Sequence, residues 1–424
     1  MANLKAMLPV KDDCFAMGSE LMPLAEALDV LAARIAPVAD TEKVPIRECH
    51  GRVLAEDVVA DRDVPPHDNV AVDGYAVFFD DLDAEGPTRL PVTGRLAAGH
   101  PLDRPAQRGE ALRVFTGAPM PAGPDTVFME EDCTEVDGVV ALPPGIKRGA
   151  NRRFRGEDVK AGSTIIAAGR RLRAQEVGLA ASVGRENLVV RRRLRAAVFS
   201  TGDEICDPGT PTPEGCVYDA NRYAIMALLD GLGCHVTDLG ILPDVAETIR
   251  DTLATAAEDH DLLITSGGMS LGEEDHVAAA VEALGRLDFW RLAIKPGRPV
   301  AMGQVRGRAF VGLPGNPVAA TVTFMVVARP VILRLAGRTD VAPHGFEVRA
   351  GFAMKKKLGR REFVRARLDT DGENSPVAYR YAESGAGILT SMVESDGLVE
   401  LPEDQGPLAE GTMVRFVPFN EVTR

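Results

Sequence analysis

The chain has 424 residues, 45% hydrophobic and 26% charged, with 62 acidic against 48 basic side chains and a formal charge of −14. These values exclude a disordered, collagenous or disulfide-scaffold chain. The acidic balance argues against nucleic-acid partners and anionic membrane surfaces. At about 150 residues per domain, the length predicts roughly three domains.

Met1 to Val10 shows no uninterrupted apolar run of the kind a secretory signal needs. The six cysteines, Cys14, Cys49, Cys133, Cys206, Cys216 and Cys234, form no C-x-x-C pair. Reduced thiols and a cytoplasmic location are expected. Cys206, Cys216 and His235 would make a poor zinc site in both spacing and ligand count.

From residue 20, Leu24, Leu28, Leu31 and Ile35 recur at helical intervals, and Pro37 ends the helix. Residues 61–147 are short strand candidates cut by Gly and Pro, which predicts a β-rich domain. Residues 20–60 and 148–193 flank it and form one discontinuous, elongated N-terminal domain. A helix is expected around Gln175 to Ser182. The run Arg191, Arg192, Arg193 reads as a solvated boundary. Residues 194–338 alternate strands and helices, which predicts an α/β domain with a mostly parallel sheet. Its strands include AAVFS, HVTDLGIL, DLLITSGG, FWRLAI and the pair VAMGQV and AFVGL. Ala319 to Leu335, interrupted by Arg329, Pro330 and Arg334, reads as a buried helix with a proline kink and not a membrane span. Residues 339–424 alternate at period two and predict a C-terminal β-barrel or sandwich.

The chemistry gathers in the α/β domain. Ligands of open parallel sheets bind beyond the carboxyl ends of the strands. Those ends read TGDEI, LPDV, TSGGMSLGEEDH, KPGRP and LPGNP. Gly-rich turns let backbone N–H groups converge on an anion. Glu204, Asp244, Glu274 and Asp275 share that rim with Lys295 and Arg298. Carboxylates repel a phosphate unless a divalent cation, Mg²⁺ by preference, bridges them. The residues therefore predict a phosphorylated or nucleotide-bearing ligand and metal-assisted phosphoryl or anhydride chemistry. No G-x-G-x-x-G, P-loop or G-x-S-x-G pattern supports a dinucleotide enzyme, a P-loop kinase or a serine hydrolase.

The segments DNVAVDGYAV, RVFTGAPMPAGPDTV, RGEDVKAG, STGDEI, TSGGMSLGEEDHV, AIKPGRPVAMG and GLPGNPVAA stand in this order. The set resembles the molybdopterin molybdenumtransferase family, the MoeA proteins, related to the gephyrin E domain. The resemblance covers about residues 20 to 420. It implies insertion of molybdate into adenylylated molybdopterin, with release of AMP, in a Mg²⁺-dependent reaction. It also implies a four-domain homodimer whose active site is shared between subunits, and contact with other molybdenum cofactor biosynthesis proteins. Asp73, Thr116, Asp158, Glu204, Asp275 and Lys295 match the family's catalytic positions. Glu204, Asp244 and Asp275 match its metal acids. Ser266, Gly267, Gly268, Gly315, Asn316 and Pro317 match the phosphate and pterin cradle. Lys295 and Arg365 match the basic groups proposed to hold molybdate; Arg291, where the family often has Lys, and Pro296 match further substrate-binding positions. Val70, Val72, Ala319 and Ala386 replace residues that often carry hydroxyls or, in the DGYA loop, a different apolar pattern. A pterin adenylyltransferase and a non-catalytic pterin-binding scaffold are the alternatives on the same fold.

Overall fold

Residues 21–268, 276–372 and 375–423 are described by the structure, a computed structural model. Its central layer is a six-stranded sheet. The spatial order is His235–Leu242, Arg195–Thr201, Leu262–Ser266, Arg308–Leu313, Pro299–Val305 and Gly285–Arg291. The first four strands are parallel, and Pro299–Val305 is antiparallel to both neighbours. Ala196 and Val198 enter one core, whereas Ala197 and Phe199 enter the other. Both faces are therefore covered, which is why these strands read as continuous apolar runs. Helices Asn221–Gly231 and Pro317–Thr323 pack on the first face, and Ala246–Asp259 and His276–Leu284 on the second. The chain leaves Thr201 for one side of the sheet and returns on the other to end a strand at Ser266. Those two ends define the topological switch point.

Two expectations need correction. FWRLAI is not one strand. Gly285–Arg291 stays in the central sheet, whereas Ile294–Lys295 pairs in parallel with Arg361 and Glu362 of the C-terminal sheet. The break is stabilised by Ala293 N–H donating to Met22 O (2.7 Å) and Arg361 N–H to Ala293 O (2.8 Å). The long apolar helix is disturbed before its proline: Phe324–Ala328 is π-helical between Pro317–Thr323 and Arg329–Leu335. Pro330 has no N–H to donate back into the ladder, so the turn ahead of it widens. By length and composition this helix could cross a membrane, but 78% of its most apolar window is buried inside the protein.

Leu24, Ala27 and Leu31 of helix Leu24–Arg34 join the same core as that long helix. A three-stranded sheet pairs Asn187–Arg191 with Thr41–Pro45 and Val53–Leu54. Helix Ala174–Ser182 covers it through Ala180. A separate six-stranded mixed sheet carries Gly74–Val77 between Thr126–Met129 and Ala111–Val114. In the C-terminal region Arg361–Thr370, Pro376–Arg380, Phe346–Ala350, Met413–Pro418 and Gly397–Leu401 follow one another. The last pairs back on the first and closes a barrel around Val399 and Phe416.

Candidate active site

The strand ends at Thr201, Leu242, Ser266 and Leu313 lie along one rim, since all four strands point the same way. Glu204 and Asp244 follow two of these ends, Thr201 and Leu242 being register partners, and both are exposed. Lys295 reaches the same side because the Ile294–Lys295 ladder delivers it to the barrel edge, where its Nζ lies 3.1 Å from Glu362. Glu274 and Asp275 fall outside the described residues. Among the described residues, no group of three or more His, Cys, Asp or Glu side chains is placed to hold a metal.

Gly267 and Gly268 have φ of +80° and +60°, conformations that favour glycine. A Cβ on Gly268 would sit 2.3 Å from Thr201 Oγ1. Asn221 fastens this turn to the LPGNP loop: its Nδ2 donates to Ser266 Oγ and to Gly315 O, each at 2.7 Å. Ser266 in turn donates to Pro314 O (3.2 Å), so it braces the loops from beneath. The segment bearing Glu204 is tethered by Arg222, 2% exposed, which bonds Asp219 (3.1 Å), Asp238 (2.6 Å) and Asp207.

Between these loops and the barrel lies a cavity of about 740 Å³. Gly267, Gly268, Gly315 and Asn316 form one wall; Lys295, Pro296 and Arg365 belong to the other. Among the described residues, Lys295, Arg298, Arg360, Arg365 and Arg380 line it against Glu362 and Glu383. Such a cationic pocket in a chain of net charge −14 selects anions by its own field. Arg365 is 5% exposed and meets neutral acceptors: Ser391 Oγ at 3.0 Å, Gly385 O at 3.2 Å and Glu383 O at 3.3 Å. Burial pulls its pKa below the ordinary arginine range. Among the described residues no carboxylate lies within 4 Å of it, so its charge is open to an anionic ligand.

Not every predicted residue gathers here. Ser266, Arg291, Pro317, Glu204 and Asp244 do not line the cavity; Arg291 is exposed at the end of its strand. Asp73, Thr116 and Asp158 belong to the N-terminal half and are also absent from its walls. Asp73 and Thr116 do meet: Asp73 Oδ1 accepts from Thr116 N–H (2.7 Å) and Oγ1–H (2.8 Å). The backbone bond, then the hydroxyl, hold the Asp73 carboxyl below its usual range. Asp158 is exposed, with its N–H on Val64 O. Val70 is fully buried in the β-rich core and Val72 packs against it. Ala319 and Ala386 do line the cavity. The sequence reading missed Asn221, Arg222, Glu362 and Arg380. Asn221 and Arg222 open a helix directly after a strand end, a position that could have flagged them. Glu362 had no local signal.

The fold and this cradle define a multidomain protein built on an α/β layer with an anion-receiving rim. Residues 22–184 match the model of the MoeA N-terminal region (domain I and II), 197–334 that of a probable molybdopterin binding domain, and 347–419 that of the MoeA C-terminal region (domain IV). The chain is 35% identical over 404 residues to the molybdopterin molybdenumtransferase of Haemophilus influenzae, covering 95% of this chain and 100% of that one. It is 34% identical to molybdopterin molybdenumtransferase 2 of Mycobacterium tuberculosis, over 88% and 93% of the two chains. The solved molybdopterin biosynthesis MoeA protein of Pyrococcus horikoshii OT3 superposes with a TM-score of 0.80 at 29% identity, covering 94% and 100%. The chain belongs to the MoeA family of molybdopterin molybdenumtransferases.

Proposed function

We propose that this chain inserts molybdate into adenylylated molybdopterin and releases AMP. The observation that carries the reading is Arg365, a buried cation with no carboxylate within 4 Å among the described residues, in the cavity that the Gly loops also line. Gly267, Gly268, Gly315 and Asn316 present backbone to the pyrophosphate and pterin, braced by Ser266 and Pro317. Lys295 and Arg365, with Pro296 at the wall and Arg291 near the entrance, attract the molybdate dianion. Glu362 is a positioning residue that holds Lys295 at the barrel edge.

Mg²⁺ suits the donors at the rim. Glu204 and Asp244 offer hard carboxylate oxygens beyond adjacent strands, and Asp275 follows the Gly267–Gly268 turn in sequence. Mg²⁺ takes one or two carboxylates and completes its shell with phosphate oxygens and water, so no three-acid cage is required. Bound there, it would offset the repulsion between phosphate and carboxylate and polarise the anhydride. Asp73, Thr116 and Asp158 complete the site from a second subunit, which explains their absence from the cavity of their own chain. The depressed Asp73 carboxyl stays ionised at neutral pH and can orient water or accept a proton.

The test is AMP release from adenylylated molybdopterin with and without molybdate and Mg²⁺. AMP should appear only when both are present. A second arm supplies ATP and free molybdopterin and should yield no nucleotide product. Nucleotide formation there would instead establish an adenylyltransferase, and silence in both arms a scaffold.

A further inference from the structure

The basic junction where the N-terminal module meets the end of the long helix has no role in the site above. Arg329 is 3% exposed, yet its Nε has no partner and its Nη1 donates only to Val341 O (2.8 Å). Arg338, on the turn after the helix, likewise buries an Nε without a partner. Neither guanidinium has a carboxylate within 4 Å among the described residues. Thr339 N–H donates to Gly169 O (3.2 Å), which brings the segment carrying Arg171 against this turn. Desolvation, then the charge of Arg338, pushes Arg329 down to about 10; desolvation, then Arg171, pulls Arg338 down as well. Asp340 and Glu421 attract both arginines from farther away.

A buried cation without a counter-ion bears its full desolvation cost, and neighbouring cations add repulsion. Proteins keep such groups where an ion completes them. Arginine forks present planar, paired donors that match tetrahedral oxyanions. Arg338 is partly exposed and Thr339 exposed, which leaves an approach from solvent. We propose that Arg329 and Arg338, flanked by Arg171, bind a free oxyanion of the phosphate class at this junction, separate from the active-site cavity.

Thermal unfolding of the full chain in chloride, and in inorganic phosphate at equal ionic strength, tests this with wild type, Arg338→Gln and Arg365→Gln. Wild type should melt higher in phosphate. Arg338→Gln should weaken the apparent phosphate affinity about tenfold, the loss of one charge-assisted contact. In chloride it should melt at or above wild type, since a repelling cation has gone. Arg365→Gln removes the share of the phosphate response that the cavity supplies and should leave the share that Arg338→Gln removes, which separates the two sites. Crystals soaked in selenate should show an anomalous peak between Arg329 and Arg338. An Arg338→Gln protein that responds to phosphate like wild type, a response lost with Arg365→Gln instead, or selenate found in the cavity alone would overturn the assignment.

Discussion

Arg365→Gln separates binding from folding more sharply than any other substitution in the cavity. In the free protein the guanidinium holds three neutral oxygens at 3.0 to 3.3 Å. Losing those bonds destabilises, but shedding a buried charge stabilises, so folding should change by no more than about 1 kcal/mol. Binding is different, because a dianion would meet a guanidinium that is itself only 5% exposed. One hydrogen bond to a charged group contributes about 1.5–3 kcal/mol. At 1.4 kcal/mol per tenfold, the apparent affinity for molybdate should fall roughly 10- to 100-fold. Arg365→Lys should recover only part of the loss, since an ammonium cannot reach both oxyanion oxygens and the Ser391 hydroxyl in one plane. AMP release as a function of molybdate concentration measures the first effect and urea unfolding the second. An unchanged molybdate dependence, or a protein that unfolds while the residual folded fraction binds normally, would refute the reasoning.

Asp261 ties the start of strand Leu262–Ser266 to that of Arg195–Thr201: its side chain is fully buried, accepts from both Nη atoms of Arg192 (2.7 and 2.8 Å) and takes the Arg195 N–H (2.9 Å). Asp261→Ala should cost about 2–4 kcal/mol in urea unfolding, since Arg192 regains only part of its hydration. Burial raises the Asp261 pKa, but Arg192 and the Arg195 N–H outweigh it and hold the carboxyl below its ordinary value. Its contribution is therefore complete above about pH 4 and disappears as pH falls through the depressed folded value, a limb that Asp261→Asn should flatten. Gly297→Ala should displace the KPGRP loop: the residue has φ +90°, and its new Cβ would lie 2.1 Å from Thr323 Oγ1. About 1–3 kcal/mol of strain and a clear loss of AMP release are expected, partly recovered by adding Thr323→Ala. Full activity in Gly297→Ala would show that the loop does not set the cavity.

The α/β layer was legible because apolar runs, turns and helical spacing all point to the same alternation, and the strand-end rule then placed the Gly loops and two acids on one rim. The C-terminal strands were legible by period two, but not their closure, because closure depends on Gly397–Leu401 pairing back on Arg361–Thr370. The polar network resisted sequence reading for the same reason. Nothing near Lys295 announces that its partner is Glu362, 67 positions along the chain. That distance is closed by a two-residue parallel ladder, and such a ladder has no pattern of its own.

This short ladder is also what makes the cavity. A sheet rim alone offers Gly turns and carboxylates, which can receive a phosphate only with help. A barrel alone offers Arg365 on a wall with nothing opposite. Ile294–Lys295 leaves the central sheet and joins the barrel at Arg361 and Glu362, so one strand pairing brings the two half-sites face to face. Its backbone bonds also fix the distance between the anion cradle and the cationic wall. On the proposed function, the appended barrel has a physical reason: the rim would receive the nucleotide end of the ligand, the buried cation the oxyanion, and neither domain supplies both.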